Sequence, residues 1–295
     1  MKTSRLTLTC ILFTFVAALP AMAGPRTFVS GLGNDANPGT REQPKRTFAS
    51  ALTVTDPRGE VVVLDPAGFG SSTLTINKSV SIIVPAGIFG GMRVTSGPAI
   101  IVAAGSLDSV VLRGLTLNGG GGTNGIEYQS GRRLHVENCI IDGFTGGSAI
   151  FVPSSAGANA RLSVKDTICR RNYIGIQVDA GRAVLDHVRL DDSNNTGLFA
   201  NSGTQVLIAN SFVSGNSTGL YGSGAELNIE ACLMANNHTA IFSGGGGTVR
   251  VSNSTVTNNQ VGLAMYSATL ESRGNNTVRG NGTNVDGTIT PFSGM

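Results

Sequence analysis

The chain has no tryptophan, four tyrosines and four cysteines in 295 residues, and only 13% of it is charged. With 40% apolar residues and a mean hydropathy of +0.13, it cannot be a disordered chain, which combines low hydrophobicity with high charge. The formal charge is +3, and removal of Lys2 and Arg5 with the leader described next leaves +1. Such a balance carries no basic excess, and nucleic acid is not an expected partner. Ten prolines and no three-residue period exclude collagen despite 41 glycines, so the glycine points to many tight turns.

Residues 1–23 have the build of a secretory signal peptide, with Lys2 and Arg5 before the mostly apolar run Leu6 to Leu19 and the small-residue site Ala21-Met22-Ala23. That run is too short for a membrane span, and no later stretch of about 20 apolar residues follows. The expected destination is the periplasm or the outside of the cell. Cys10 leaves with the leader, and Cys139, Cys169 and Cys232 remain without any C-x-x-C spacing for zinc or redox chemistry. His135, His187 and His238 fall at three different repeat positions and cannot converge on a metal. No metal or cofactor is expected.

What the sequence does have is a repeat. Gly114, Asn138, Asp166, Asp186, Asn210, Ala231, Asn253 and Asn275 recur at spacings of 20 to 28 residues. Two residues before each stands Leu112, Val136, Val164, Val184, Ile208, Ile229, Val251 and finally Arg273. A second aliphatic column, Ile126, Ile150, Ile176, Leu198, Leu220, Ile241, Leu263 and Val285, is usually preceded by a small residue. A third holds Asn172, Asp192, Asn216, Asn237, Asn259 and Asn281. Units of about 22 residues with β-branched runs, Asn and Gly breaks and no 3.6 periodicity indicate one turn each of a parallel β-solenoid. Stacking at about 4.8 Å superimposes equal positions, so the aliphatic columns become the interior and the amides a hydrogen-bonded ladder. Leucine-rich and propeller repeats are excluded by their missing consensus and blade length.

The expected organisation is an all-β, single-stranded right-handed parallel β-helix over 61–281. An opening segment and N-terminal cap occupy 24–60, and a C-terminal cap or tail occupies 282–295. Thr47 to Val54, with Phe48, Ala51 and Leu52 at helical spacing, is the candidate cap helix that would cover the first sheet edge.

The opening Thr27-Phe28-Val29-Ser30, Gly33-Asn34-Asp35-Ala36-Asn37-Pro38-Gly39-Thr40 and Pro44-Lys45-Arg46-Thr47-Phe48 resembles that of secreted β-helix proteins of the pectate-lyase-like superfamily. So do Val110 to Gly119 and the closing Gly274 to Asn281. The resemblance implies the fold; its function stays open, since this architecture hosts lyases, hydrolases, epimerases, tailspikes and adhesins. No catalytic set of these families transfers. The arginine string Arg41 to Arg46 has the wrong spacing for a pectate lyase, and of the polygalacturonase motifs only Asp191-Asp192 is present. Asp192 is assigned to the ladder, and Asp191 to the same column as Arg171.

Directly after the second aliphatic column come Glu127, Phe151, Gln177, Phe199, Tyr221, Phe242 and Ala264, which strict alternation places outside. Phe151, Phe199, Tyr221 and Phe242 are therefore the candidate binding residues. Aromatic rings about 5 Å apart on a sheet can stack sugars or form a subunit contact. The expected function is engagement of polysaccharide along this face. The alternatives are a polysaccharide lyase, hydrolase or uronate epimerase, and a structural or adhesin-like surface protein.

Overall fold

The computed structural model describes residues 24–292, so the expected leader with Cys10 and the last three residues of the expected cap or tail lie outside the described residues. The fold is a parallel β-helix whose turns stack into three sheets of twelve, ten and ten strands. One turn shows the plan. Gln205–Ala209 lies in the first sheet, Phe212–Ser214 in the second and Thr218–Ser223 in the third, before Glu226–Glu230 returns to the first. Every pairing between turns is parallel, as required when the chain always circles in one direction.

Local chemistry sets the two sharp bends. Between the first and second sheets a single residue takes left-handed backbone angles: Gly114, Asn138, Asp166, His187, Asn210, Ala231, Asn253 and Gly274, with φ between 48 and 78°. Between the second and third, the same conformation falls on Gly143, Arg171, Asp192, Gly215, Asn236, Asn258 and Gly280. Glycine and the short polar side chains enter this region most readily, which explains why Asn and Gly punctuate strands they would otherwise weaken.

Immediately after the second bend the amide ladder begins. Oδ1 of Asn216, Asn237, Asn259 and Asn281 accepts the backbone N–H of Ser193, Asn216, Asn237 and Asn259 respectively, each one turn earlier, at 2.9 to 3.0 Å. The interior is lined by the expected second column, with Ile126, Ile150, Ile176, Leu198, Leu220, Ile241 and Leu263 registered one upon another and buried; Val285, the last of that column, pairs with Leu263 but is exposed, because it lies at the end of the coil. The small residue before each has a steric cause. A Cβ on Gly197 would stand 2.6 Å from the carbonyl oxygen of Gly219 one turn on.

Three assignments shift by one residue. Val164 is registered on Leu185 and Lys165 on Asp186, so the left-handed residue of that turn is His187, not Asp186. Val184 accordingly faces out at 49% exposure while Leu185 is fully buried. Asp192 takes the second bend and Ser193 the ladder position, and the partner of Asp191 across the rung is Arg170 rather than Arg171. At the end of the repeat Ser272, not Arg273, pairs with Val251, and Gly274 rather than Asn275 is left-handed. The two slips share a cause: Asp186 resembles Asp166 and Asp192 resembles the ladder asparagines, although His also tolerates a left-handed backbone and Ser can occupy a ladder site.

Parallel pairing extends beyond the 61–281 span. Gly24–Val29 pairs with Thr55–Val63, while Thr283–Asp286 and Thr290–Pro291 add rungs to the third and first sheets. The helix Phe48–Val54 buries Phe48, Ala51 and Leu52 against Gly24–Val29, Thr55–Val63 and Leu74–Ile76. Its N-terminus is clamped by Asp35, whose carboxylate accepts from the backbone N–H of Arg46 and Thr47 and from the Thr47 hydroxyl at 2.9 to 3.0 Å. Burial works against that charge, but these bonds prevail and hold the Asp35 carboxyl below its ordinary range. Cys139, Cys169 and Cys232 are free and buried.

Candidate functional site

The outward column of the third sheet is registered as the alternation requires. Glu127 pairs with Phe151, Phe151 with Gln177, Gln177 with Phe199, Phe199 with Tyr221, Tyr221 with Phe242 and Phe242 with Ala264. Phe151, Phe199, Tyr221 and Phe242 are each half-buried. Three of them touch: the ring centroids of Phe199 and Tyr221 are 5.1 Å apart and those of Tyr221 and Phe242 4.9 Å. The planes cross at 74° and 68°, so the rings meet edge to face rather than as a stack. This is the arrangement that aligns a ring's positive edge with its neighbour's negative face. Phe151 stands apart, separated from Phe199 by the turn that carries Gln177.

The partial burial comes from the rings themselves and from where they lean. A Cβ on Gly244 would lie 3.1 Å from a Phe242 ring carbon and 3.3 Å from one of Tyr221, so both rings lie toward that glycine and use the space it leaves. Polar side chains border the ridge toward the N-terminal turns. The Asp179 carboxylate accepts from Gln177 Nε2 at 2.9 Å and from Asn201 Nδ2 at 3.3 Å. Glu127 accepts from Gln129 Nε2 at 2.8 Å and Asn124 Nδ2 at 3.2 Å. At the start of the same strands, Thr196, Thr218 and Thr239 are registered in file, the first buried and the other two partly exposed. The result is an apolar ridge about two ring steps long with amides, carboxylates and hydroxyls beside it. That combination offers both ring contact and hydrogen bonds to a hydroxyl-rich polymer.

A second set of groups lies on the second sheet. Arg93, Asn118, Asp142, Arg170, Asp191 and Ser214 form one outward file. The Asp142 carboxylate is held by Arg171, with Nε at 2.9 Å, and by Arg170 at 3.3 Å. Asp191 receives Arg189 Nε at 2.8 Å on one oxygen, whereas its other oxygen, Oδ1, is buried without a partner. Burial raises the Asp191 carboxyl above its usual range, against the pull of Arg189. This carboxyl can hold a proton to a higher pH than a free one. Its counterpart Asp142 is two rungs away and fully engaged by arginine, so the two do not form a free acid–base couple. At the N-terminal end the file opens on a cleft of about 790 Å³ lined by Arg46, Arg93, Phe89, Met92 and Asn118. The signal for Asp191 was Arg189, two residues earlier on the same strand face. Among the described residues no group of three or more His, Cys, Asp or Glu side chains could hold a metal ion.

With the coil of parallel turns established, its relatives can be placed. The family described as the right handed beta helix region matches residues 98–283. The chain belongs to this β-helix family. Among solved structures, pectate lyase Pel9A superposes with a TM-score of 0.60 at 14% identity, covering 90% of this chain and 79% of that one. An alginate lyase from Paenibacillus sp. str. FPU-7 superposes with a TM-score of 0.52 at 13% identity, covering 82% and 95%. At such identities the likeness is one of β-helix fold alone. No curated protein matches the sequence. No helix of the described residues is long and apolar enough to cross a membrane.

Proposed function

We propose that this β-helix protein is exported and engages polysaccharide along the outer face of its third sheet. The reading is carried by one observation: Phe199, Tyr221 and Phe242 form a continuous, partly exposed ridge on three consecutive turns, bordered by hydrogen-bonding side chains. No interior role calls for these rings, because the core on that side is already filled by Leu198, Leu220 and Ile241. The signal-peptide pattern of residues 1–23 supports export. The superposed β-helices named as lyases of pectate and alginate give the same fold a precedent on polysaccharide, without carrying over their chemistry.

The test is replacement of all three rings by serine. Since the rings lie outside the core, the variant should fold. Interface aromatics contribute about 1–2 kcal/mol each on truncation, so glycan affinity measured by calorimetry should fall by at least a hundredfold. Light scattering on the same samples separates a subunit contact, which would appear as a loss of mass. Unchanged glycan affinity in a folded triple variant would end the proposal.

A further inference from the structure

The first sheet carries an unusual row of charge. Arg133–Glu137, Arg161–Lys165 and Arg182–Asp186 are strands of three consecutive turns, and each begins with arginine. Arg161 is registered on Arg182, and Leu134 on Leu162, which sets Arg133 in the same file. All three side chains are exposed, and none forms an ion pair among the described residues. Adjacent strands are about 4.8 Å apart, and like charges directly opposite one another across strands are unfavourable.

The sheet avoids this cost elsewhere. Arg26 pairs with Glu60, Arg113 with Glu137, and Arg250 bridges Glu226 and Glu271. Nor do the loops leading into the file supply a free carboxylate. Asp108 is bonded to Ser79 Oγ at 2.6 Å and the Gly105 N–H at 2.9 Å, and Asp179 to Gln177 and Asn201. Three guanidinium groups therefore point to solvent at strand spacing, at the corner where the third sheet passes into the first. Glu127, Phe151 and Gln177 of the outward column lie on the turns that feed them.

We infer that Arg133, Arg161 and Arg182 dock a linear polyanionic glycan, one bearing carboxylate or sulfate groups along its length. The inference rests on the polysaccharide reading above and names the ligand class. A row of fixed cations parallel to the solenoid axis matches repeated anions on an extended chain, and guanidinium groups pair with either anion through forked hydrogen bonds.

Calorimetry of the full chain with polygalacturonate, dextran sulfate, neutral dextran and a single-stranded oligonucleotide, at two salt concentrations, tests it. The variants are R133Q/R161Q/R182Q and its lysine counterpart. The expected result is binding to at least one anionic glycan that weakens with salt. The glutamine variant should lose at least tenfold in affinity at low salt, with the log–log salt slope shallower by about two, since each neutralised charge on a nucleic-acid polyanion contributes about 0.7–0.9. The lysine variant should keep the slope. A folded glutamine variant with unchanged affinity and slope overturns the inference and leaves the polysaccharide reading standing. So does dextran binding as tightly as the anionic polymers, or the oligonucleotide binding as tightly as they do. Failure of every glycan to bind overturns both.

Discussion

Replacement of Asn237 by leucine probes the ladder at its centre. The side chain is 3% exposed and makes five hydrogen bonds. Oδ1 accepts the backbone N–H and Nδ2 of Asn216, both at 3.0 Å. Nδ2 donates to the carbonyls of Val213 and Ala235 and to Asn259 Oδ1, all at 3.1 Å. Leucine would strip the Asn216 N–H of its acceptor inside a dry turn, whereas Asn216 Nδ2 keeps the carbonyls of Leu190 and Ser214. The Asn259 amide oxygen keeps the Asn237 N–H. The dominant cost is thus one buried unsatisfied donor, about 1–3 kcal/mol, with about 1 kcal/mol more for the net loss of the other bonds. At about 2–4 °C per kcal/mol for a chain of this size, the melting temperature should drop by roughly 4–16 °C. Ser217, exposed on the preceding turn beside Asn216, is the control, and its replacement by leucine should move the melting temperature by less than about 2 °C, as surface changes do. Ser252, which alternation would suggest instead, does not serve, because it is buried with its hydroxyl bonded to the Glu230 carboxylate. Equal melting temperatures for the Asn237 and Ser217 variants, followed by circular dichroism, would refute the ladder as a source of stability.

The gap in that ladder makes an opposite prediction. Ser193 occupies a ladder position with its hydroxyl buried and unpartnered, so S193N should restore an acceptor for the backbone N–H of Asn172 and raise the melting temperature by a few degrees; a fall would show that the site is too tight for the amide. The thiols should be silent in the native protein. Burial pushes Cys139 up to about 12 and Cys232 up to about 11, with Cys169 raised by burial as well, so almost none is thiolate at neutral pH. Alkylation without reductant followed by mass spectrometry should modify none of the three before denaturation and all three after it, and an intact disulfide would contradict the turn assignment.

The outcome shows which interactions leave a trace in one dimension. The column from Ile126 to Leu263 could be followed residue by residue, because an inward aliphatic position tolerates few alternatives and its neighbour must be small for steric reasons. Bends and ladder sites were harder, since Asp, Asn, His, Ser and Gly can all serve there; the one-residue slips at Asp186 and Asp192 both arose in this class. The helix over 48–54 was visible in the spacing of Phe48, Ala51 and Leu52, whereas its clamp by Asp35, more than ten residues away, was not. For the candidate site, sequence gave the order of the rings on the third sheet but not their tilt, which depends on the room left by Gly244. Neither the buried Oδ1 of Asp191 nor the row of Arg133, Arg161 and Arg182 was legible. The first depends on what covers the carboxyl, and the second is hidden in a net charge near zero, because the compensating acids sit on other turns.

The unequal corners of each turn also set how the molecule tolerates change. In the six turns that bend at Asn138, Asp166, His187, Asn210, Ala231 and Asn253, the bend between the first and second sheets is one left-handed residue and one more, whereas the passage from the third sheet to the first ranges from two residues, Gly131 and Arg132, to the eight of 153–160. Insertions at that passage cost little closure entropy and leave the register of every other turn untouched. The solenoid thus has a rigid seam and, along the opposite corner, a spine on which segments can be lengthened one turn at a time. New surface grafted there would rise directly beside both the aromatic ridge and the arginine row, so that ligand preference could diverge while the coil beneath stayed the same.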